Sequence, residues 1–95
     1  MSVYAVFIRD RMHDAEEFET YSQKSAAARG DHPIKAHVYY GALDVLEGPP
    51  ADGVVIVEFP DRAAALGWYE SPAYQEARAH RQKAGDYRVI LVEGL

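Results

Sequence analysis

The side chains with the clearest capacity for acid–base chemistry in this sequence are His80 and His37. A histidine titrates near neutral pH, so either ring can move a proton at a substrate that it reaches. Arg81 follows His80 directly, and a guanidinium can hold a carboxylate through two parallel hydrogen bonds. We therefore predict His80 and His37 as catalytic residues and Arg81 as a ligand-binding residue for a small acidic or enol-like molecule.

His80 belongs to a stripe of small residues on a predicted helix. Ala73, Ala77, His80 and Ala84 recur at helical spacing, and a histidine on such a stripe can face a cavity. Ordinary helix packing explains the same stripe, with the neighbouring arginines paired to surface acids. The sequence leaves both interpretations open.

Aromatic residues gather around the break between two predicted helices at Ser71-Pro72. Aromatic side chains at such a break can form the wall of an apolar pocket, although a tryptophan is more often part of the core. Ser71 is explained as a helix cap and lacks the surroundings of a catalytic serine. We predict four aromatic residues as ligand-binding: Tyr39, Trp68, Tyr69 and Tyr74.

His37 and Tyr39 lie two positions apart on a predicted strand. Side chains alternate across a strand, so these two should point to one face and Val38 and Tyr40 to the other. A polar residue on the helix-facing side could reach a pocket between sheet and helices. A hydrogen-bonded surface or interface histidine is the competing interpretation of His37.

Composition excludes several kinds of chemistry. The chain has no cysteine, which excludes thiolate catalysis and thiolate metal sites. The four histidines show no paired metal-ligand spacing, so a metal site would need the fold to bring His37, Glu58 and His80 together. There is no Gly-rich phosphate loop, and a haem would lack an evident proximal histidine, so we predict no cofactor.

Length and charge limit the partners. Ninety-five residues predict one domain over 1–95, because a chain of this length closes one core. The formal charge of −5 disfavours nucleic acid and anionic membranes. No signal-peptide or transmembrane pattern is present, and together with the lack of cysteine this predicts a cytoplasmic protein.

Periodicity predicts alternating strands and helices. Asp14 with Glu17 predicts a capping box at the first helix, and Gly30 predicts its end. Ser71 followed by proline restarts a helix. In chain order the predicted segments are strand 2–9, helix 14–29, extended pieces 35–40 and 43–47, loop 48–53, strand 54–59, a helix after residue 61, a helix from 71 to about 83, and strand 87–92.

This order predicts an α+β domain of the ferredoxin-like βαββαβ type, with one four-stranded antiparallel sheet and helices on one face. The predicted strands are apolar on both faces, as in residues 3–8 and 54–59. Helices can cover only one of them, and soluble monomers rarely expose so large an apolar patch. We therefore predict a homodimer that packs sheet against sheet.

Four stretches carry a resemblance to a known family: YGALDVLEG at 40–48, VVIVEFPD at 54–61, WYESPAYQ at 68–75 and VILVEG at 89–94. Together they resemble the domain-of-unknown-function family 1330, within the dimeric α+β barrel superfamily. The resemblance implies the ferredoxin-like fold and a dimer formed by facing sheets, and it implies no reaction. The chain departs from the usual family pattern at Tyr39-Tyr40-Gly41 and at His80.

Two functions remain in competition. The first is an enzyme or binder of a small, partly apolar organic molecule, with a pocket between sheet and helices in each subunit. The resemblance allows an enzyme, because related superfamily members include cofactor-free monooxygenases, haem-degrading enzymes, isomerases and lyases. The second is a non-catalytic module for self-association or effector binding, which the lack of a recognisable catalytic constellation favours.

Overall fold

The computed structural model of the protein describes residues 1–95 and confirms the predicted ferredoxin-like architecture. Four strands form one sheet, and three helices connect them. No helix has both the length and the apolar character needed to cross a membrane. The elements are β1 Val3–Met12, α1 Ala15–Ala28, β2 Lys35–Tyr39, β3 Gly53–Phe59, α2 Arg62–Tyr69, α3 Pro72–Ala84 and β4 Gly85–Glu93.

The sheet has the strand order β2-β3-β1-β4, and all neighbouring strands are antiparallel. Every second residue is buried along β3 and from Val3 to Arg9 of β1. These residues form one core cluster with Tyr21 of α1, Trp68 of α2 and Tyr74 of α3. All three helices therefore pack on the same face of the sheet, and β1 lies beneath them at its centre.

The opposite face of the sheet, here called the outer face, is lined mainly by apolar side chains without a helix above them. Ile90 and Val92 of β4 are 48% and 49% exposed. Val6 on β1 and Ile56 on β3 are partly exposed and lie directly opposite each other in the register. The prediction that the strands are apolar on both faces is thus confirmed, and this chain alone leaves the outer face uncovered. Further residues of the outer face include Tyr4, Ile8, Val38, Val54, Glu58 and Arg88.

Asp14 and Ser71 cap their helices as the sequence predicts. The Asp14 side chain accepts hydrogen bonds from the backbone N–H groups of Glu16 and Glu17, and Ser71 Oγ accepts one from Tyr74. The reciprocal half of the predicted capping box is absent. The backbone N–H of Asp14 donates to the carbonyl of Ala84 instead, at 3.1 Å.

The predicted extended piece at 43–47 is not a strand. The four-stranded sheet does not include this piece, and residues 41–52 form a long loop. Its end is held against β1, where the backbone N–H of Asp52 donates to the carbonyl of Arg9 at 2.9 Å. The loop thus begins beside β2 and is anchored again at β1.

An irregularity in β2 overturns the prediction that His37 and Tyr39 share a face. Ala36 pairs with Val57 and Tyr39 with Val55, but the register between them shifts at His37. One extra residue in a strand changes the side to which the following side chains point. As a result Tyr39 lies on the helix side, while His37 lies with the outer face.

Tyr40 follows directly and crosses the helix side of the sheet. Its backbone is left-handed, with φ of 53°, and its hydroxyl lies 2.8 Å from that of Tyr87 on β4. The ring passes over Gly53, where a Cβ would lie 2.7 Å from Tyr40 Cδ1. Glycine at this position therefore makes room for the tyrosine to reach across the sheet.

Candidate functional site

An apolar cavity of about 270 Å³ lies between the sheet and α1. Ten of its thirteen lining residues are hydrophobic. We call it the α1 cavity, and its lining residues are Phe7, Tyr21, Ser22, Ser25, Ala26, Arg29, Ile34, Ala36, Tyr39, Tyr40, Val55, Val57 and Trp68.

The cavity exists because small side chains face each other at this end of the core. Helix α1 contributes Ser22, Ser25 and Ala26, and β2 contributes Ala36. Interiors are normally packed to the density of organic crystals, so four small residues on two facing elements leave a void. At the cavity mouth, Tyr39 is 63% exposed and still lines the space.

Trp68 forms part of the cavity wall and carries an unused hydrogen-bond donor. The side chain is only 6% exposed, and its ring packs on Tyr74 with the centroids 4.2 Å apart. The indole Nε1–H is buried and has no hydrogen-bond partner in the chain. Buried donors are nearly always paired, so this indole N–H leaves one hydrogen bond unmade next to the cavity.

Two tyrosines of the cavity wall are paired through their hydroxyls with tyrosines outside it. Tyr21 Oη lies 2.9 Å from Tyr74 Oη, and Tyr40 pairs with Tyr87 as described above. Burial, reinforced by these neighbouring phenols, raises the pKa of Tyr21 and of Tyr40 far above the ordinary value. Both phenols are therefore neutral at physiological pH and can donate or accept hydrogen bonds but carry no charge.

Arg9 is a buried charged residue that sequence inspection missed. Its Nε lies 2.5 Å from Asp52 Oδ1, and its guanidinium packs 4.8 Å from the Tyr40 ring and 5.0 Å from the Phe18 ring. Although burial alone would raise it, the pKa of Asp52 is lowered by the hydrogen bonds from Arg9 and Met12 N. Arg9 continues the alternation of buried residues along β1, and this alternation is the signal in the sequence that could have predicted its burial.

His80 lies outside the α1 cavity, on the contact between α1 and α3. Its Nδ1 is 2.6 Å from Glu17 Oε2. Ala77 and Ala84 of the predicted stripe are fully buried, whereas Ala73 is exposed. The stripe therefore packs α3 into the core, and the histidine is held at its margin by a carboxylate of the neighbouring helix.

His37 also lies outside the α1 cavity, because it is next to Glu58 on the outer face. Its Nε2 lies 2.6 Å from Glu58 Oε1, and its ring centroid is 5.9 Å from that of Tyr4. The hydroxyl of Ser2 donates to the other oxygen of Glu58, and this bond, followed by that of His37, lowers the pKa of the carboxyl. His80 does not join His37 and Glu58, so the three residues considered for a metal are not assembled.

The predicted ligand-binding residues separate into three places. Tyr39 and Trp68 line the α1 cavity. Tyr69 and Arg81 line a second pocket of about 370 Å³ between α3 and β4. Tyr74 is fully buried between Tyr21 and Trp68 and lines neither space. The structure thus brings together only one pair of the predicted residues at the cavity.

The sheet order, the helices on a single face and the uncovered apolar outer face define an α+β protein of the ferredoxin-like class. Within this class, the chain belongs to the DUF1330 family, a domain of unknown function, whose family model matches residues 2–95. No protein with curated annotation matches the chain.

Solved structures with the same fold cover almost the whole chain. The RPA0582 protein of unknown function from Rhodopseudomonas palustris is 27% identical, with a TM-score of 0.74 over 99% of this chain and 82% of that one. SnoaB, a cofactor-independent oxygenase from Streptomyces nogalater, is 13% identical, with a TM-score of 0.69 over 98% and 91%. A dimeric ferredoxin-like protein of unknown function from Thermobifida fusca is 14% identical, with a TM-score of 0.69 over 97% and 90%.

Proposed function

We propose that this protein is a homodimer in which each subunit binds a small, partly apolar organic molecule in the α1 cavity. The observation that carries the proposal is an apolar space whose wall contains one buried, unpaired donor, the Trp68 indole N–H. Binding sites commonly combine an apolar lining with a few placed polar groups. A cytoplasmic location stays a prediction from the sequence.

The size and lining of the α1 cavity limit its ligand. Pockets for drug-sized molecules span about 300–1,000 Å³, so a cavity of about 270 Å³ suits a molecule with a single ring. The ligand needs an acceptor such as a carbonyl oxygen for Trp68, and its ring would contact Phe7 and Val57. Tyr39 at the mouth would cover the bound molecule.

The homodimer is supported by the outer face and by the related structures. Ile90 and Val92 are exposed and Ile56 is partly exposed in the single chain, and a second copy would cover them. Several proteins with this fold are described as dimeric. Burying apolar surface contributes about 25 cal/mol per Å², so pairing two such faces is strongly favourable.

Filling the α1 cavity should abolish binding. Ser25 lines the cavity, so Ser25→Phe would place a ring in the space of the ligand. Acetophenone, which has one ring and one carbonyl, is a suitable probe. We expect it to shift the fluorescence of Trp68, the only tryptophan, and to raise Tm. At a ligand concentration a hundred times Kd, the free energy of unfolding should rise by about 2.7 kcal/mol.

The matched control is Ala27→Phe, which adds the same ring to an exposed position of α1 outside the cavity. This variant should respond to acetophenone like the wild type, while Ser25→Phe should not respond. Equal responses of Ser25→Phe and the wild type would refute the α1 cavity as the binding site. A panel of other single-ring ketones and phenols extends the measurement.

A non-catalytic effector-binding module is the second candidate, and the placement of the histidines favours it. His80 and His37, the predicted catalytic residues, are each bonded to a carboxylate outside the cavity. A general base must reach the proton that it removes. The lining of the cavity offers only tyrosines and Arg29 as ionisable groups. If mass spectrometry shows that a bound molecule is chemically converted, the protein is an enzyme and not a non-catalytic module.

Replacing His80 with alanine should leave ligand binding intact. The variant loses the contact with Glu17 between α1 and α3, a cost of about 1 kcal/mol in the free energy of unfolding. Acetophenone affinity should stay within about twofold of the wild type, and Glu17→Gln should behave in the same way. A tenfold loss of affinity in both variants, or loss of turnover of a converted substrate, would instead place His80 in the mechanism.

A further inference from the structure

The pocket between α3 and β4 is lined differently from the α1 cavity, and the two share no residue. Its members are Tyr69, Arg78, Arg81, Gln82, Gly85, Asp86, Tyr87 and Val89. We propose that this pocket, here called the arginine pocket, is an anion site that binds the carboxylate of a small organic acid through Arg78 and Arg81. The proposal does not depend on the function assigned to the α1 cavity.

Arg81 is a buried cation that lacks a counter-ion. It is only 4% exposed, it forms no ion pair within the chain, and its Nε has no hydrogen-bond partner. The guanidinium lies between two rings, 5.2 Å from the centroid of Tyr87 and 5.6 Å from that of Phe7. Such contacts offset part of the desolvation of the charge, but a buried charge is normally paired.

Arg78 lies one helical turn before Arg81 and lines the same pocket. Residues three apart are neighbours on a helix surface, so the two guanidinium groups come from one side of α3. The Nε of Arg78 is also buried without a partner. Its only side-chain hydrogen bond is a long one, 3.4 Å from Nη1 to Gln75 Oε1. Two adjacent guanidinium groups therefore have donors that the chain does not use.

The charges in the pocket wall favour a ligand with one negative charge. Besides Arg78 and Arg81, the wall holds a single carboxylate, that of Asp86, which is already 2.8 Å from His13 Nε2. A planar carboxylate accepts two parallel hydrogen bonds from a guanidinium. Tyr69 and Val89 add apolar surface beside this charge. An organic acid with an aromatic or short aliphatic body matches both parts of the wall.

Titration calorimetry of the whole protein with benzoate tests the proposal. We expect benzoate to bind the wild type saturably and the uncharged benzamide not to bind. The benzoate affinity of Arg78→Gln should be lower by about tenfold or more. Arg62→Gln removes the same charge at an exposed residue of α2 and should keep wild-type affinity. Ser25→Phe, which fills the α1 cavity, should also keep it, so the two sites are tested separately.

Because Arg81 is buried, Arg81→Gln is a valid test only if its circular dichroism matches that of the wild type. If it does not, the test rests on Arg78→Gln. Wild-type benzoate affinity in Arg78→Gln would overturn the assignment, as would equal binding of benzamide. Loss of benzoate binding in Ser25→Phe alone would move the acid to the α1 cavity and overturn it as well. Binding of inorganic phosphate in place of benzoate would overturn the choice of a carboxylate.

Discussion

Replacing Ile56 with aspartate should turn a dimeric protein into a monomer. Ile56 lies on a central strand of the outer face, opposite Val6 on one side and Val38 on the other. In the proposed dimer its side chain is buried against the second sheet, where an unpaired carboxylate costs several kcal/mol. The dissociation constant should rise by about a thousandfold or more, since every 1.4 kcal/mol is tenfold.

Light scattering coupled to size-exclusion chromatography at micromolar concentration measures the effect directly. Ala63→Asp introduces the same charge at an exposed residue of α2 and should remain a dimer. Circular dichroism of Ile56→Asp distinguishes a folded monomer from an unfolded chain. A monomeric wild type, or a dimeric Ile56→Asp variant, would contradict the proposed packing of sheet against sheet.

Above pH 10 the folded protein should lose stability steeply. Burial is the first cause that raises the pKa of Tyr21, Tyr40 and Tyr74, whereas an unfolded tyrosine titrates near 10. Above that pH the unfolded chain gives up protons that the folded state keeps, so the free energy of unfolding falls as pH rises. Each such phenol contributes a slope of ~1.4 kcal/mol per pH unit.

The two phenols with large shifts, Tyr21 and Tyr40, together give a limiting slope of roughly 3 kcal/mol per pH unit, against a typical domain stability of about 5–15 kcal/mol. Unfolding followed by circular dichroism should therefore coincide with a cooperative rise in tyrosinate absorbance. The stability is fully present below pH 10, so the effect is confined to the alkaline side. A protein that ionises these phenols gradually while its helices persist would disprove their burial.

The double variant Tyr21→Phe with Tyr74→Phe provides the decisive comparison. It removes both members of one hydroxyl pair, so no buried oxygen is left unpaired and stability at neutral pH should change little. Its slope above pH 10 should be shallower than that of the wild type. Tyr39→Phe, at an exposed tyrosine, is the matched control and should keep the wild-type slope.

The fold could be predicted because its determinants are local. Asp14 and Ser71 are strong cap residues that form the expected hydrogen bonds, and the apolar strands contain the β-branched and aromatic residues that favour sheets. The order of elements then leaves few topologies. The two apolar faces were likewise visible, because side-chain alternation depends only on the period of the strand.

The candidate site was less predictable because it depends on contacts between distant segments. The irregularity at His37 is set by how β2 pairs with β3, and it separates His37 from Tyr39, which simple alternation places on one face. The partner of His80 is Glu17, 63 residues earlier, and no spacing in the sequence indicates it. Arg81 was predicted from chemistry alone, and its burial without a counter-ion is a property of the packed structure.

The position of β2 at the edge of the sheet has a consequence for access to the α1 cavity. This strand is held by a single neighbour, β3, and it carries Ala36 and Tyr39 of the cavity wall. Separation of one short peripheral ladder is a small opening event, far less costly than global unfolding. The proposed ligand would therefore enter and leave through the margin of the sheet while β1 and the helices above it keep their packing.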